Sequence, residues 1–115
     1  MKSDIKYLIP LLRGNFVVMS ANEINYLRSD TNIVYIMDIH GQQLIGSQTL
    51  KFYTDLLSDD LFFLVSQSTL VNLSKIRFVH ATQQELELIC GTKINMSRNG
   101  FKLLKDYIKI VGNKW

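Results

Sequence analysis

The sequence has one cysteine, one proline and no long apolar run. With Cys90 alone, no disulfide can form within the chain, so we expect a reducing compartment, the cytoplasm, and a small buried thiol at this position. The longest apolar stretches, such as 7–12 and 61–65, are much shorter than the roughly 20 residues of a membrane-spanning helix. The chain is therefore predicted to be soluble and intracellular, without a membrane segment.

Side chains at the spacing of a catalytic or metal site are also missing. His40 and His80 lie far apart, and neither has a cysteine, histidine or carboxylate partner at a metal-binding spacing. No phosphate-binding glycine loop or nucleophile motif is present. Glu85 and Glu87 alternate on a predicted strand and are interpreted as its solvent-exposed side. We therefore predict a binding protein, not an enzyme, with no cofactor and no metal.

Charge is small in total but unevenly distributed. The chain has 115 residues, the length of one domain, and a formal net charge of +3. Residues 1–60 carry five Lys and Arg against seven Asp and Glu, whereas residues 61–115 carry eight against three. This asymmetry is a weak indication of an anionic partner, either nucleic acid or a membrane surface. A basic face that serves only solubility explains it equally well. We expect a single domain over residues 1–115.

Short strands separated by turn residues dominate the pattern. The segments 5–12 and 16–19 flank Arg13-Gly14-Asn15, which predicts an N-terminal β-hairpin over 5–19. Pro10 indicates that the first strand is bulged or lies at an edge. Further strands with β-branched and aromatic residues follow, and the sequence therefore predicts a mainly β fold.

Two segments have the period of a helix instead. A short helix is predicted near residues 49–57, with Ser47 or Thr49 as its N-cap. A C-terminal helix is predicted near residues 98–110, capped by Ser97. Its apolar stripe consists of Phe101, Leu104, Ile108 and Val111, widened by Leu103 and Tyr107. Its second face carries four cations, which either follow phosphates or are simply solvated: Arg98, Lys102, Lys105 and Lys109.

Residues 62–79, FFLVSQSTLVNLSKIRFV, interrupt an apolar strand with four small polar residues. The order of FF, S, LVNL and I closely resembles the signature of the LytTR family of bacterial DNA-binding domains. The resemblance continues on both sides, through EINYLRSDTNIVYIMDIHGQQLIGSQTLKFYTDLL and IRFVHATQQELELICGTKINMSRNGFKLLKDYI. It covers about 22–111 and identifies no receiver domain.

The resemblance implies both a fold and a ligand. The fold would be mainly β, with elongated multi-stranded antiparallel sheets and the two helices near 49–57 and 98–110. Family members insert loops at strand ends into successive major grooves of double-stranded DNA. Asn72 is expected to hold a turn through its side chain. Carried over by position, and with nearby cations added, the predicted DNA contacts are Asn32, Ser66, Gln67, Ser68, Lys75, Arg98, Asn99 and Lys102.

The chain departs from the family pattern at the central loop. Where members commonly carry an arginine, a histidine and a basic residue, this chain has Leu64, Ser66 and Gln67. Because each lost cation removes a phosphate contact, the loop should bind DNA less strongly. With no receiver domain or membrane segment recognised, we expect a partner protein, a ligand or the expression level to supply the signal.

Two functions remain open from the sequence. The first is a sequence-specific DNA-binding transcriptional regulator, acting as two copies on repeated half-sites. The second is a protein–protein interaction module on the same fold with weakened or lost DNA binding. The second would use the edge strand at Pro10 to extend another sheet. Arg98 and the cationic helix face favour the first.

Overall fold

The computed structural model describes residues 5–57 and 62–112, without the side chains of 108–112. The side-chain roles predicted for Ile108, Lys109 and Val111 lie outside the described residues, as does Leu61, the first residue of the apolar stretch 61–65. The described chain forms β1 Tyr7–Pro10, β2 Phe16–Met19, β3 Ile24–Asp30, β4 Ile33–Asp38, β5 Gln43–Gly46, α1 Leu50–Leu56, β6 Phe62–Ser66, β7 Thr69–Asn72, β8 Ile76–His80, β9 Glu85–Leu88, β10 Lys93–Asn95 and α2 Arg98–Gly112.

The strands form three antiparallel sheets. β1 pairs with β2; the five-stranded sheet has the order β5-β4-β3-β7-β6; and the three-stranded sheet has the order β10-β9-β8. Within each sheet most neighbouring strands are consecutive in the chain and are joined by short turns, whereas β3 and β7 pair across a long separation in sequence. The prediction of a mainly β fold with several antiparallel sheets and two helices is confirmed.

Threonine and serine side chains begin the two helices. Thr49 Oγ1 accepts a hydrogen bond from the amide of Phe52 at 3.1 Å, so Thr49 is the N-cap of α1. Ser97 Oγ accepts from the amide of Gly100 at 2.9 Å at the start of α2. Leu104 is buried on the apolar stripe of α2, but Leu103 is 47% exposed and does not widen the stripe as predicted.

The N-terminal hairpin forms between Tyr7 and Met19 and is attached to the five-stranded sheet. The residue after β1, Leu11, bridges Gly46 at the end of β5. The hydroxyl of Tyr53 donates to the carbonyl of Pro10 at 2.6 Å. The edge at Pro10, expected to be open for another sheet, is therefore occupied at that end by the chain's own contacts.

The five-stranded sheet buries both of its faces. Leu27 pairs with Leu70 and packs in a first apolar cluster with the N-terminal hairpin and α1. Their neighbours Tyr26 and Val71 also pair and, because successive side chains point to opposite faces, belong to a second cluster. The second cluster contains residues of the three-stranded sheet and of α2, including Leu104.

Asn72 holds a turn, as expected, and also joins two parts of the chain. Its Oδ1 accepts hydrogen bonds from the amide of Ser74 at 3.0 Å and from the Ser74 hydroxyl at 2.7 Å. Its Nδ2 donates to the carbonyls of Ala21 and Ile24, both at 3.0 Å. The side chain is almost fully buried, so these bonds satisfy an amide that would otherwise be costly to bury.

The prediction of a buried thiol at Cys90 is wrong. The alternation of ELELIC continues through Cys90 in the sequence, but β9 ends at Leu88 and a turn follows. Gly91 adopts a φ of 96° in this turn. Cys90 is therefore exposed, and its Sγ lies 3.4 Å from Thr92 Oγ1.

Candidate nucleic-acid interface

Two hairpin turns lie at the same end of the five-stranded sheet. Thr31-Asn32 joins β3 to β4, and Gln67-Ser68 joins β6 to β7. β3 is antiparallel to β7, with Arg28 opposite Thr69, so the end of β3 lies beside the start of β7. The amide of Ser29 also donates to the carbonyl of Ser68 at 2.8 Å. The structure therefore brings four predicted contact residues to one end of the sheet: Asn32, Ser66, Gln67 and Ser68.

The polar residues of the β6–β7 turn have different roles. Ser66 Oγ accepts from the amide of Ser68 at 3.2 Å and lies 3.4 Å from the Ser68 hydroxyl, so the serines hold the turn. Gln67 is exposed at the tip, beside Lys51 and Asp55 of α1. Its amide offers one acceptor and two donors, the set that can bond an adenine edge bidentately.

The start of α2 is attached to the same hairpin through the backbone of Val65. The β6–β7 pairing shifts register between Leu64 and Ser66, and this irregularity contains Val65. The Val65 carbonyl accepts from the Ser97 amide at 2.9 Å and from the Ser97 hydroxyl at 3.4 Å. Because Val65 precedes Ser66, the contact fixes the start of α2 beside the turn. The exposed predicted contacts there are Arg98, Asn99 and Lys102.

The β3–β4 turn borders a second polar surface. Thr31 has a φ of 57°, in the left-handed region that tight hairpin turns use. Asn32 is exposed, and next to it lies a depression of about 320 Å³ that extends to the start of α1. Its polar lining consists of Ser29, Thr31, Asn32, Ser47, Gln48 and Thr49. These side chains offer hydroxyl and amide groups, which suit contacts to phosphates and base edges.

Lys75 is the predicted contact that the structure does not bring to this end. It lies beyond β7, whose four residues alone separate it from the turn by about 13 Å at ~3.3 Å per residue. Lys75 Nζ lies 3.4 Å from Asn22 Oδ1, next to the start of β3. Sequence position alone placed Lys75 near LVNL, whereas the direction of β7 takes it to the opposite end of the sheet.

Two other cations, which the sequence did not single out, lie close to the turns. Arg28 of β3 and Lys93 of β10 line one depression of about 440 Å³. Ser66, Ser68 and Ser97 line the same depression. In the sequence, the only sign that Arg28 lies at this depression is the alternation of strand side chains, which places it on the same sheet face as Tyr26. The proximity of Lys93 depends on the packing of two sheets and has no local signal.

One pKa shift, that of Tyr26, concerns this surface. Burial raises the pKa of Tyr26, so its phenol in the depression stays neutral at physiological pH. Among residues 5–57 and 62–112, no group of three or more His, Cys, Asp or Glu side chains is arranged to hold a metal ion. In the same part of the chain, neither helix is long and apolar enough to cross a membrane.

Comparison with known proteins identifies one family. The sequence model described as "LytTr DNA-binding domain" matches residues 14–109. No protein of curated function matches the sequence. One similar solved structure, with a TM-score of 0.71 and 16% identity, covers 93% of this chain and 96% of its own. That structure is the LytTr DNA-binding domain of a protein described as a methyl-accepting/DNA response regulator, from Bacillus cereus, and the likeness shows a shared fold.

Proposed function

The chain belongs to the LytTR family of DNA-binding domains, and from this premise we propose that it is a sequence-specific transcriptional regulator. In this proposal the β6–β7 turn enters the major groove of double-stranded DNA with Gln67 at its tip. The β3–β4 turn with Asn32 and the start of α2 with Arg98 contact the same duplex. The chain acts by binding, without catalysis or a cofactor.

The convergence of three polar segments supports this proposal most directly. The two turns are joined by the Ser29–Ser68 hydrogen bond, and α2 is joined to the hairpin by the Ser97–Val65 bond. The segments come from distant parts of the sequence, so their common position is a property of the fold. A two-stranded ribbon fits the major groove, which is about 12 Å wide and 8.5 Å deep.

The three segments differ in the DNA groups that their side chains can contact. Gln67 and Arg98 are exposed and can bond base edges, so we propose that they determine sequence preference. Asn99 and Lys102 lie on the first turns of α2, where they would contact phosphates and set orientation. Because Leu64, Ser66 and Gln67 replace the family's usual basic and histidine side chains, we expect moderate affinity with a shallow salt dependence.

The biological arrangement follows from the same proposal. We propose that residues 1–115 act as a single domain in the cytoplasm, where chromosomal DNA is accessible. Two copies would occupy repeated half-sites separated by about one helical turn, which lets identical domains face the same side of the duplex. A partner protein would supply the regulatory signal.

Selection of bound sequences from a random duplex pool tests this function. Purified protein is incubated with the pool at low salt, and retained duplexes are sequenced over several rounds. We expect enrichment of a short motif, and of its repeat at helical-turn spacing if two copies act together. Retention without enrichment would limit the protein to charge-driven contact, and absence of retention would contradict DNA binding.

A protein–protein interaction module is the second candidate, and the outer face of the N-terminal hairpin favours it. Leu8 and Val18 pair across β1 and β2 and are 59% and 60% exposed, and the adjacent Phe16 is 57% exposed. Contiguous apolar patches of this kind mark interaction surfaces in many proteins. If duplex selection retains nothing, binding to purified candidate proteins should depend on Val18, and Val18→Lys should abolish it while the fold is kept.

A further inference from the structure

The depression between β3 and β10 has the composition of an anion site. It is lined by two exposed cations, Arg28 and Lys93, and by the hydroxyl-bearing residues Ser66, Ser68 and Thr69. No carboxylate is among the described residues that line it. A volume of about 440 Å³ leaves room for a group much larger than a water molecule.

We propose that this depression receives a phosphodiester of the bound DNA strand, held between the guanidinium of Arg28 and the ammonium of Lys93. The inference rests on the proposed DNA-binding function and names further contacts within it. These two cations would compensate for the basic side chains missing at Leu64, Ser66 and Gln67.

The position of Arg28 favours a phosphate over a base edge. Arg28 lies opposite Thr69, two residues behind Gln67, which corresponds to about 7 Å along the strand. When Gln67 reaches the floor of a groove about 8.5 Å deep, a group about 7 Å behind it lies near the mouth of the groove. The phosphate backbones of the two strands border that mouth.

The contacts of Arg28 orient its guanidinium without neutralising it. The guanidinium lies 5.6 Å from the ring centre of Tyr35, which is its partner on β4. Its Nη1 lies 3.8 Å from Asp30 Oδ2, and both side chains are about half exposed. A long, exposed ion pair of this kind contributes little, so a phosphate can replace it.

Lys93 lines the depression from β10. It is exposed on β10, which pairs only with β9 among the described strands. β10 leads through Met96 into Ser97, and the Ser97–Val65 bond sets its distance from the β6–β7 turn. The same contact that positions Arg98 therefore also positions Lys93.

Salt dependence of DNA binding tests the site. Affinity of the wild type, Arg28→Met and Lys93→Met for the selected duplex is measured over a range of salt concentrations. We expect each variant to flatten the plot of log affinity against log salt by about 0.9, which is roughly an eightfold loss at 0.1 M salt. The preferred sequence should not change, because phosphate contacts carry no sequence information.

Matched variants control for charge and folding. Lys6→Met removes the same charge near Glu23, before the start of β3, and should keep the wild-type slope. Arg28→Lys should restore most of the slope lost in Arg28→Met, and urea unfolding checks that each variant folds. Slopes equal to that of Lys6→Met, or an altered sequence preference, would overturn the phosphate site. If the wild type binds no duplex at all, the proposed function itself fails and this inference fails with it.

Discussion

Among the glycines for which the structure describes the surroundings, Gly100 in the first turn of α2 leaves the least room for an added methyl group. An ideal Cβ at Gly100 would overlap the carbonyl oxygen of Val65 and lie 2.9 Å from Ser97 Oγ. The Val65 oxygen belongs to the backbone of a fully buried residue and cannot turn aside as a flexible side chain would. In Gly100→Ala, α2 must therefore move away from β6.

The expected cost follows from opposing effects. Alanine is favoured over glycine in a helix by up to about 1 kcal/mol. Moving the helix stretches the 2.9 Å bond from Ser97 to the Val65 carbonyl, and a buried carbonyl without a partner costs about 1–3 kcal/mol. Overpacking typically costs another 1–3 kcal/mol. We expect Gly100→Ala to lower the free energy of unfolding by about 1–5 kcal/mol in total.

Urea unfolding measures this difference directly. Asn99→Ala is the control, because Asn99 is exposed on the same turn and its replacement should change the free energy of unfolding by less than about 0.5 kcal/mol. Gly100→Ala should also weaken DNA binding, since Arg98 moves with the helix. A variant at least as stable as the wild type would show that close contact between α2 and β6 is not needed, and the reasoning would be refuted.

Three further predictions concern separate parts of the molecule. Tyr53→Phe removes the 2.6 Å hydrogen bond to the Pro10 carbonyl and should cost about 1–2 kcal/mol in urea unfolding; an unchanged midpoint would contradict this. Gln67→Ala should relax preference at one base position by roughly 1–3 kcal/mol in duplex selection, and an unchanged motif would remove Gln67 from base readout. The Ser20 amide holds the pKa of Glu23 below its usual value, so its contribution to stability exists above about pH 4.5 and is lost as pH falls. The stability difference between Glu23→Gln and the wild type should therefore shrink toward acid pH, and a constant difference would contradict this.

Turn chemistry and helix caps made much of the fold predictable from the sequence. Arg13-Gly14-Asn15 predicted the first hairpin. Ser97 predicted the start of α2, and Ser47 or Thr49 predicted the start of α1, of which Thr49 is the cap. These features depend on a few neighbouring residues, so the sequence contains them locally. The family resemblance then indicated which turns would meet.

Features set by long-range packing were not predictable in the same way. The irregularity at Val65 leaves the apolar pattern of β6 almost unchanged, yet it determines where α2 attaches. Arg28 and Lys93 meet in one depression because two sheets pack together, and no short segment encodes this proximity. Lys75 lies next to a family motif in sequence but at the other end of β7 in space. The sequence thus predicted which segments form the site, but it did not predict how far apart their side chains lie.

Strand β7 lies between β3 and β6 in the five-stranded sheet, and its burial determines how the protein unfolds. All four of its residues are buried, and consecutive side chains serve different clusters: Leu70 the first and Val71 the second. Neither cluster can lose its contacts without exposing a strand that the other needs, so the two should melt together. The amide protons of β7 should therefore exchange with solvent only through global unfolding. Their exchange rates would report the stability of the whole fold. The end of the sheet that carries the β3–β4 and β6–β7 turns would keep its shape until that fold is lost.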